Sequence, residues 1–173
     1  MKDKRPNPAH HALATLEDWA NTHHKTLSLI TQNVDDLHEQ AGSQATHLHG
    51  NLWKNKCSQC ESPYLAEVDY DQDTLLYCPQ CEAYIRPDIV WFGEMLPHKD
   101  WQYAEQASAH CDVFISIGTS SLVYPAAGLS QLAKRNGAKL IEINPNPTQN
   151  PIIDVVLAGK AGELLPRLIA ELS

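Results

Sequence analysis

At 173 residues and 43% apolar, the chain is sized for one domain and can bury roughly 70% of its unfolded surface. It carries 13 Lys and Arg against 21 Asp and Glu, a formal charge of −8, and no basic run longer than Lys4-Arg5. That balance argues against a nucleic-acid scaffold. No apolar run is long enough to span a membrane, and Met1-Lys2-Asp3-Lys4-Arg5-Pro6 lacks the apolar core of a secretory signal. With Cys111 the cysteine count is odd, which fits a reducing cytoplasm better than an oxidising compartment.

Asn7 followed by Pro8 predicts a helix cap and a first helical residue. Ala9, Ala12, Leu13, Leu16, Trp19 and Ala20 then keep helical spacing to about Asn21. The run Thr26 to Thr31 is strand-like and stops in the polar string Gln32-Asn33-Val34-Asp35-Asp36. Residues 51–90 show little helical periodicity and hold four of the cysteines. In the second half, strands are expected at Val113 to Ile117, Lys139 to Ile143 and Val155 to Ala158. Helices are expected from Pro125 to Asn136 and from Glu163 to Leu172. Continuous apolar strands alternating with helices imply a parallel sheet covered on both faces, with ligands beyond its carboxyl ends. Those ends carry Gln32-Asn33, Gly118-Thr119-Ser120 and Asn144. The glycines include no G-x-G, so neither a dinucleotide fingerprint nor a P-loop is present.

Cys57-x-x-Cys60 and Cys78-x-x-Cys81 are separated by residues 61–77, a spacing suited to a four-thiolate zinc site. Two such knuckles close a tetrahedron around one ion and leave no open position, so the metal is expected to build structure. Two disulfides or four free thiols are the alternatives. Residues 51–90 therefore read as a metal-stabilised insert.

Thr31-Gln32-Asn33-Val34-Asp35-Asp36-Leu37-His38, then His47-Leu48-His49-Gly50, then the four cysteines, resemble the core of the sirtuin family of NAD-dependent protein-lysine deacylases. The likeness continues through Arg86-Pro87-Asp88-Ile89-Val90-Trp91-Phe92-Gly93-Glu94, Gly118-Thr119-Ser120, Val123-Tyr124-Pro125-Ala126-Ala127, Ile143-Asn144 and Ala161-Gly162-Glu163. The wording resembles the bacterial and mitochondrial branch, associated with removal of acetyl, succinyl and related acyl groups. The resemblance implies a Rossmann-like doubly wound α/β fold with an inserted four-cysteine zinc ribbon. Residues 1–50 and 91–173 would form the NAD-binding domain, incomplete here, and 51–90 the zinc module.

By the same resemblance, His49 is the general base and Asn33 positions ribose or water. The products are deacylated lysine, nicotinamide and O-acyl-ADP-ribose. Gln32, Asn33, Val34 and Asp35 surround nicotinamide and its ribose, with Asp35 on the carboxamide. Gly118, Thr119 and Ser120 approach the phosphates and ribose; Asn144, Pro145 and Asn146 meet the adenosine ribose, and Ala161 lies by the adenine. Val90, Trp91, Phe92, Gly93 and Glu94, with Leu122, Val123 and Tyr124, sandwich an acyl-lysine protein as an added strand. The cofactors implied are NAD and Zn2+. Taken alone, His49 before Gly50 reads as a turn residue, and Asn33-Val34-Asp35-Asp36 as a strand-to-helix cap. The His10-His11 and His23-His24 pairs read as solvated helix residues, His38 as locally packed, and Cys111 as a small core residue.

The family's first strand, its G-A-G-x-S loop and the segment ending in Phe-Arg have no counterpart in this chain. That strand lies between those ending at Gln32 and Gly118, so open sheet edges, self-association or complementation, and weak turnover are expected. The acyl preference is not legible. A non-catalytic acyl-lysine-binding module and NAD-dependent ADP-ribosyl transfer are the rival functions.

Overall fold

A computed structural model describes residues 4–69, 75–120 and 124–172. Helix α1 (Pro8–Thr22) starts as the sequence predicts: Asn7 Oδ1 accepts from the Ala9 amide at 2.8 Å, and His10 Nδ1 accepts from the Asn7 amide at 3.1 Å. His10 thus closes a capping box, and its ring lies 4.8 Å from that of His38. His23 stacks on Trp19 and bonds its carbonyl at 2.8 Å. His10 is therefore half-buried rather than solvated, whereas His11, His23 and His24 are exposed, as expected.

Strand β1 (Leu29–Thr31) is shorter than the apolar run that announces it, and is followed by the one-turn α2 (Leu37–Gln40). Next, β2 (Ala45–His47) lies parallel to β1, Leu29 opposite Ala45 and Thr31 opposite His47. Then β3 (Gly50–Cys57), β4 (Pro63–Tyr64) and β5 (Ile85–Ile89) form an antiparallel sheet in the order β4-β3-β5. Helix α3 (His98–His110) has no clear sequence signal: its buried stripe consists of Ala104 and Ser108, too weakly apolar to register as periodicity.

The closing half runs β6 (Val113–Ile117), α4 (Gly128–Arg135), β7 (Lys139–Asn144), β8 (Val155–Ala158) and α5 (Ala161–Ala170). Its strands form a parallel sheet, β6-β7-β8. Helix α4 begins three residues later than Pro125, because Pro125 and Ala126 first turn the chain through amide bonds from Gly128 and Leu129.

Side chains alternate across the strands, so both faces are packed. On one side, Ala9, Ala12 and Leu13 of α1 and Leu165 and Ile169 of α5 pack with Ile143, Leu29, Ile115 and Leu157. On the other, Leu48, Ala104, Ala126 and Leu129 gather Ile30, Trp101 and Phe114. Leu29 and Ile30 thus face opposite helical layers, as do Ile115 and Phe114, the mark of a doubly covered parallel sheet. That layer is nevertheless in two pieces: β1 pairs with β2, β6 with β7, and β1 forms no ladder with β6 among the described residues.

Candidate active site and metal centre

The polar string after β1 is stitched to the segment after β2 by four successive carbonyls. Thr31 O accepts from the Leu48 amide at 2.9 Å and Val34 O from the Leu52 amide at 2.7 Å. Between them, Gln32 O meets His49 Nδ1 at 2.9 Å and Asn33 O meets His47 Nδ1 at 3.2 Å. A carbonyl only accepts, so His49 carries its proton on Nδ1 and keeps the Nε2 lone pair available. The Val90 amide donates to His49 O at 2.9 Å, fixing the backbone as well as the ring. Gly50 follows at φ +76°, where a Cβ would collide with the Asp88 carbonyl, so only glycine lets β3 leave His49 this closely against β5.

Asn33 is exposed, with its amide donating to Thr31 Oγ1 at 3.0 Å. Gln32, Val34 and Asp35 are half-buried, and Asp35 Oδ1 caps the Leu37 amide at 3.1 Å. The capping role thus belongs to Asp35; Asp36, at the cap position, instead accepts from Trp53 Nε1 and Gln40 Nε2. His47 Nε2 reaches Glu39 Oε1 at 2.9 Å. Burial disfavours the Glu39 carboxylate, yet the bond from His47, the amides of Glu39 and Ala45 and the His47 charge together outweigh it and hold its carboxyl below the ordinary value.

Residues 86–94 are folded by Arg86. Its Nη1 donates to Ile89 O at 2.8 Å, its Nη2 to Glu94 Oε1 at 2.7 Å, and its guanidinium lies 4.7 Å from the centre of the Trp91 ring. Glu94 also accepts from the Trp91 amide, the main cause of its lowered carboxyl, with Arg86 adding to it. This turn leaves Trp91, Phe92 and Gly93 exposed beside the His49–Val90 contact, while Val90 is half-buried. Tyr124 is exposed; Leu122 and Val123 lie outside the described residues.

Gly118 and Ser120 are exposed at the carboxyl end of β6, Gly118 at φ +61° with open space where a Cβ would stand. Asn144 closes β7, donating from Nδ2 to Thr119 O at 2.9 Å and accepting the Asn146 amide at Oδ1 at 3.0 Å. Pro145 and Asn146 are exposed next to it. Ala161, the first residue of α5, packs against the α1–α5 core.

The four sulfurs of Cys57, Cys60, Cys78 and Cys81 lie within 4.8 Å of one another, and all four are free thiols. Cys57 and Cys81 are 3.4 Å apart, Cys60 and Cys78 3.7 Å. A zinc tetrahedron with bonds of about 2.3 Å has sulfur–sulfur edges of about 3.8 Å, so the donor set fits zinc; a disulfide, at about 2.05 Å, is excluded. Each knuckle is built alike: amides of residues 59 and 60 point at Cys57 Sγ, that of 80 at Cys78 Sγ, and Glu61 and Glu82 turn at positive φ. Hydrogen bonds from Ser62, and then from Cys57, bring the Cys60 thiol down to about 6. The Ala83 amide favours the Cys81 thiolate, but Cys57, burial, Cys60 and Cys78 together outweigh it and push Cys81 up to about 12. Packed thiols resist losing all their protons, and a divalent cation removes that conflict.

The Sir2 family profile matches residues 1–125. The NAD-dependent protein deacylase 2 of Pyrobaculum aerophilum is 43% identical over 169 residues, 96% of this chain and 66% of that protein. The chain belongs to the Sir2 family. A solved Sir2 homologue–NAD complex superposes with a TM-score of 0.90 at 42% identity, over 98% of this chain and 66% of that one. Another, of Sir2 bound to acetylated peptide, gives 0.87 at 34% identity, over 98% and 71%. The chain thus spans about two thirds of the length of relatives such as the Pyrobaculum deacylase, 66%.

Within this Sir2 fold, sequence alone does not single out Arg86, the Glu39–His47 pair, or Glu142, whose buried carboxylate meets Asn144 and Thr148. Arg86 lies at the head of the Arg86–Glu94 motif, and no local pattern marks it as the residue that folds that turn. Glu39 and His47 meet across a helix and a strand, and no local spacing announces such a pair. Glu142 sits in an apolar strand, where a lone acidic residue is itself a signal.

Proposed function

We propose that this chain is an NAD-dependent protein-lysine deacylase of the Sir2 type, with His49 as general base. The observation that carries the reading is the His49 Nδ1 bond to Gln32 O at 2.9 Å, which leaves Nε2 as the basic atom in the segment that also sets Asn33 and Asp35. When bound, NAD supplies the ribose carbon that takes up the acyl oxygen, and nicotinamide as leaving group. His49 Nε2 takes the proton of the hydroxyl presented to it, and the Gln32 carbonyl steadies the ring as it becomes charged. Asn33 and Asp35 turn polar groups toward the nicotinamide ribose and carboxamide, and Gln32 and Val34 line the same wall. Gly118, Thr119 and Ser120 receive the phosphates, where a missing or short side chain lets backbone amides come close. Asn144, Pro145 and Asn146 meet the adenosine ribose, and Ala161 the adenine.

The acyl-lysine peptide lies as an added strand along Val90 to Glu94, with residues 122–124 on its other side. Zinc on the four cysteines braces the 51–90 module between the two parts of the NAD domain, 1–50 and 91–173. A reducing cytoplasm preserves those thiols. Turnover is expected to be weak, because the strands that lead to Gln32 and Gly118 are each paired along one edge only among the described residues.

The test is nicotinamide release from NAD and an acetyl-lysine peptide by the full chain. Substituting His49→Ala is expected to cost on the order of 10²–10⁴-fold, with zinc content unchanged. Peptide binding that is insensitive to His49, without turnover, favours a binding module; label from NAD appearing on protein favours ADP-ribosyl transfer. Robust turnover in the His49→Ala variant rules out the assigned base.

A further inference from the structure

Glu142 is the one acidic side chain among the largest fully buried residues described, 1% exposed in the centre of β7. No Lys, Arg or His lies within ion-pair reach of it among the described residues. A carboxylate in that position costs far more to bury than the valine or isoleucine a central strand favours, unless hydrogen bonds replace its lost water. Here they do. Oε1 accepts from the Thr148 amide at 3.0 Å and, more weakly, from Asn144 Nδ2 at 3.4 Å; Oε2 accepts from Thr148 Oγ1 at 3.1 Å.

These bonds have a direction. A carboxylate is acceptor-only, so it turns the NH2 side of the Asn144 amide toward itself. The same Nδ2 then reaches Thr119 O at 2.9 Å, and Oδ1 is left to take the Asn146 amide at 3.0 Å. One buried group therefore matches the Asn144 orientation that the Thr119 carbonyl and the Asn146 amide also require, and closes the 145–148 turn onto β7 through Thr148. Through Asn144, it also ties that turn to the loop after β6. An apolar residue would leave the Thr148 amide and hydroxyl without this acceptor and would remove one of the three bonds that hold the Asn144 amide.

We propose that Glu142 is a positioning residue of the dinucleotide site, holding the 118–120 and 144–148 loops in one arrangement through Asn144 and Thr148. The inference rests on the NAD reading above and deepens it. Its signature is selective: the adenosine half of the ligand is held less well while the chemistry at His49 proceeds. Glutamine keeps an acceptor for the Thr148 amide and gains a donor for Thr148 Oγ1, so it rescues much of the geometry; leucine rescues none.

The experiment titrates ADP-ribose, which lacks nicotinamide, into the full chain and its Glu142→Gln, Glu142→Leu and Thr148→Val variants, each checked for cooperative melting. Glu142→Leu and Thr148→Val are expected to weaken binding on the order of tenfold, and Glu142→Gln by about threefold or less. In steady state the loss is expected in KM for NAD, with kcat at saturation within about twofold. If Glu142→Leu does not fold, Thr148→Val, which removes only a hydroxyl, carries the test. Wild-type affinity in the folded Glu142→Leu or Thr148→Val variant overturns the inference and leaves the NAD reading standing. A wild-type chain that binds neither ADP-ribose nor NAD overturns both.

Discussion

His10 and His38 meet with tilted rings where α1 crosses α2, and burial pushes both imidazoles below their ordinary value. Desolvation is the largest cause at both; at His10, Asp35 and the Asn7 amide pull upward and His11 pushes downward, while at His38, His10 and His47 push downward against Glu39 and Asp35. Such a histidine takes up a proton more readily in the unfolded chain, whose pKa is about 6.5, than in the fold. Its contribution is therefore complete above about pH 6.5 and is lost as pH falls toward the depressed folded value. Glu39, Glu94 and Asp154 are shifted down as carboxylates, so their stabilisation is lost only below about pH 4.5. The melting temperature is expected to start falling below about pH 6.5, and to fall less in a His38→Gln variant. A melt unchanged between about pH 8 and 5 would remove this account. These contacts also mark the limit of what residues alone announce. Asn7-Pro8 shows its cap because capping is local; His10 against His38 brings together residues far apart in the chain, and only the fold reveals it.

The elements differ in the same way. Strands β6, β7 and β8 were legible within a residue, because each is a short run rich in Val, Ile and Leu bounded by turn residues. The start of α4 was misplaced because Pro125 is as good a turn residue as a first helical one. Helix α3 gives no clear signal because, besides Trp101, its inward face carries only the small residues Ala104 and Ser108. The antiparallel β4-β3-β5 sheet was visible only as an insert, since its order is set by the knuckles rather than by periodicity. That dependence gives a prediction. Structural zinc supplies about 10–16 kcal/mol to small modules, more than the whole net stability of many domains. Chelation, or Cys78→Ser, is therefore expected to melt β3–β5 rather than loosen it. Because the amide of Val90, directly after β5, holds His49 O, nicotinamide release is expected to fall with the zinc. Hydrogen exchange over residues 85–90, read beside zinc content, measures it. Full protection and full turnover in a zinc-free chain would show that the module stands without metal.

Over the whole molecule, the same two helical layers grip both parallel sheets. Leu29 of β1 and Ile115 of β6 share the α1–α5 side, and Ile30 and Phe114 share the α3–α4 side. The two strands thus belong to one layer, yet each is paired along one edge only among the described residues. Side-chain burial has been satisfied where backbone pairing has not. A buried amide or carbonyl without a partner costs roughly 1–3 kcal/mol, so even a few such groups weigh heavily against a net stability of about 5–15 kcal/mol. An exposed edge relieves that cost by accepting a strand, from a second copy or from another polypeptide. The chain is accordingly expected to self-associate in sedimentation velocity as its concentration rises, with the amides of β1 and β6 becoming more protected from exchange. The acidic surface opposes association at low salt, so added salt is expected to promote it. A species that stays monomeric over a hundredfold concentration range, with those amides already protected, would mean that the two edges are satisfied within a single chain.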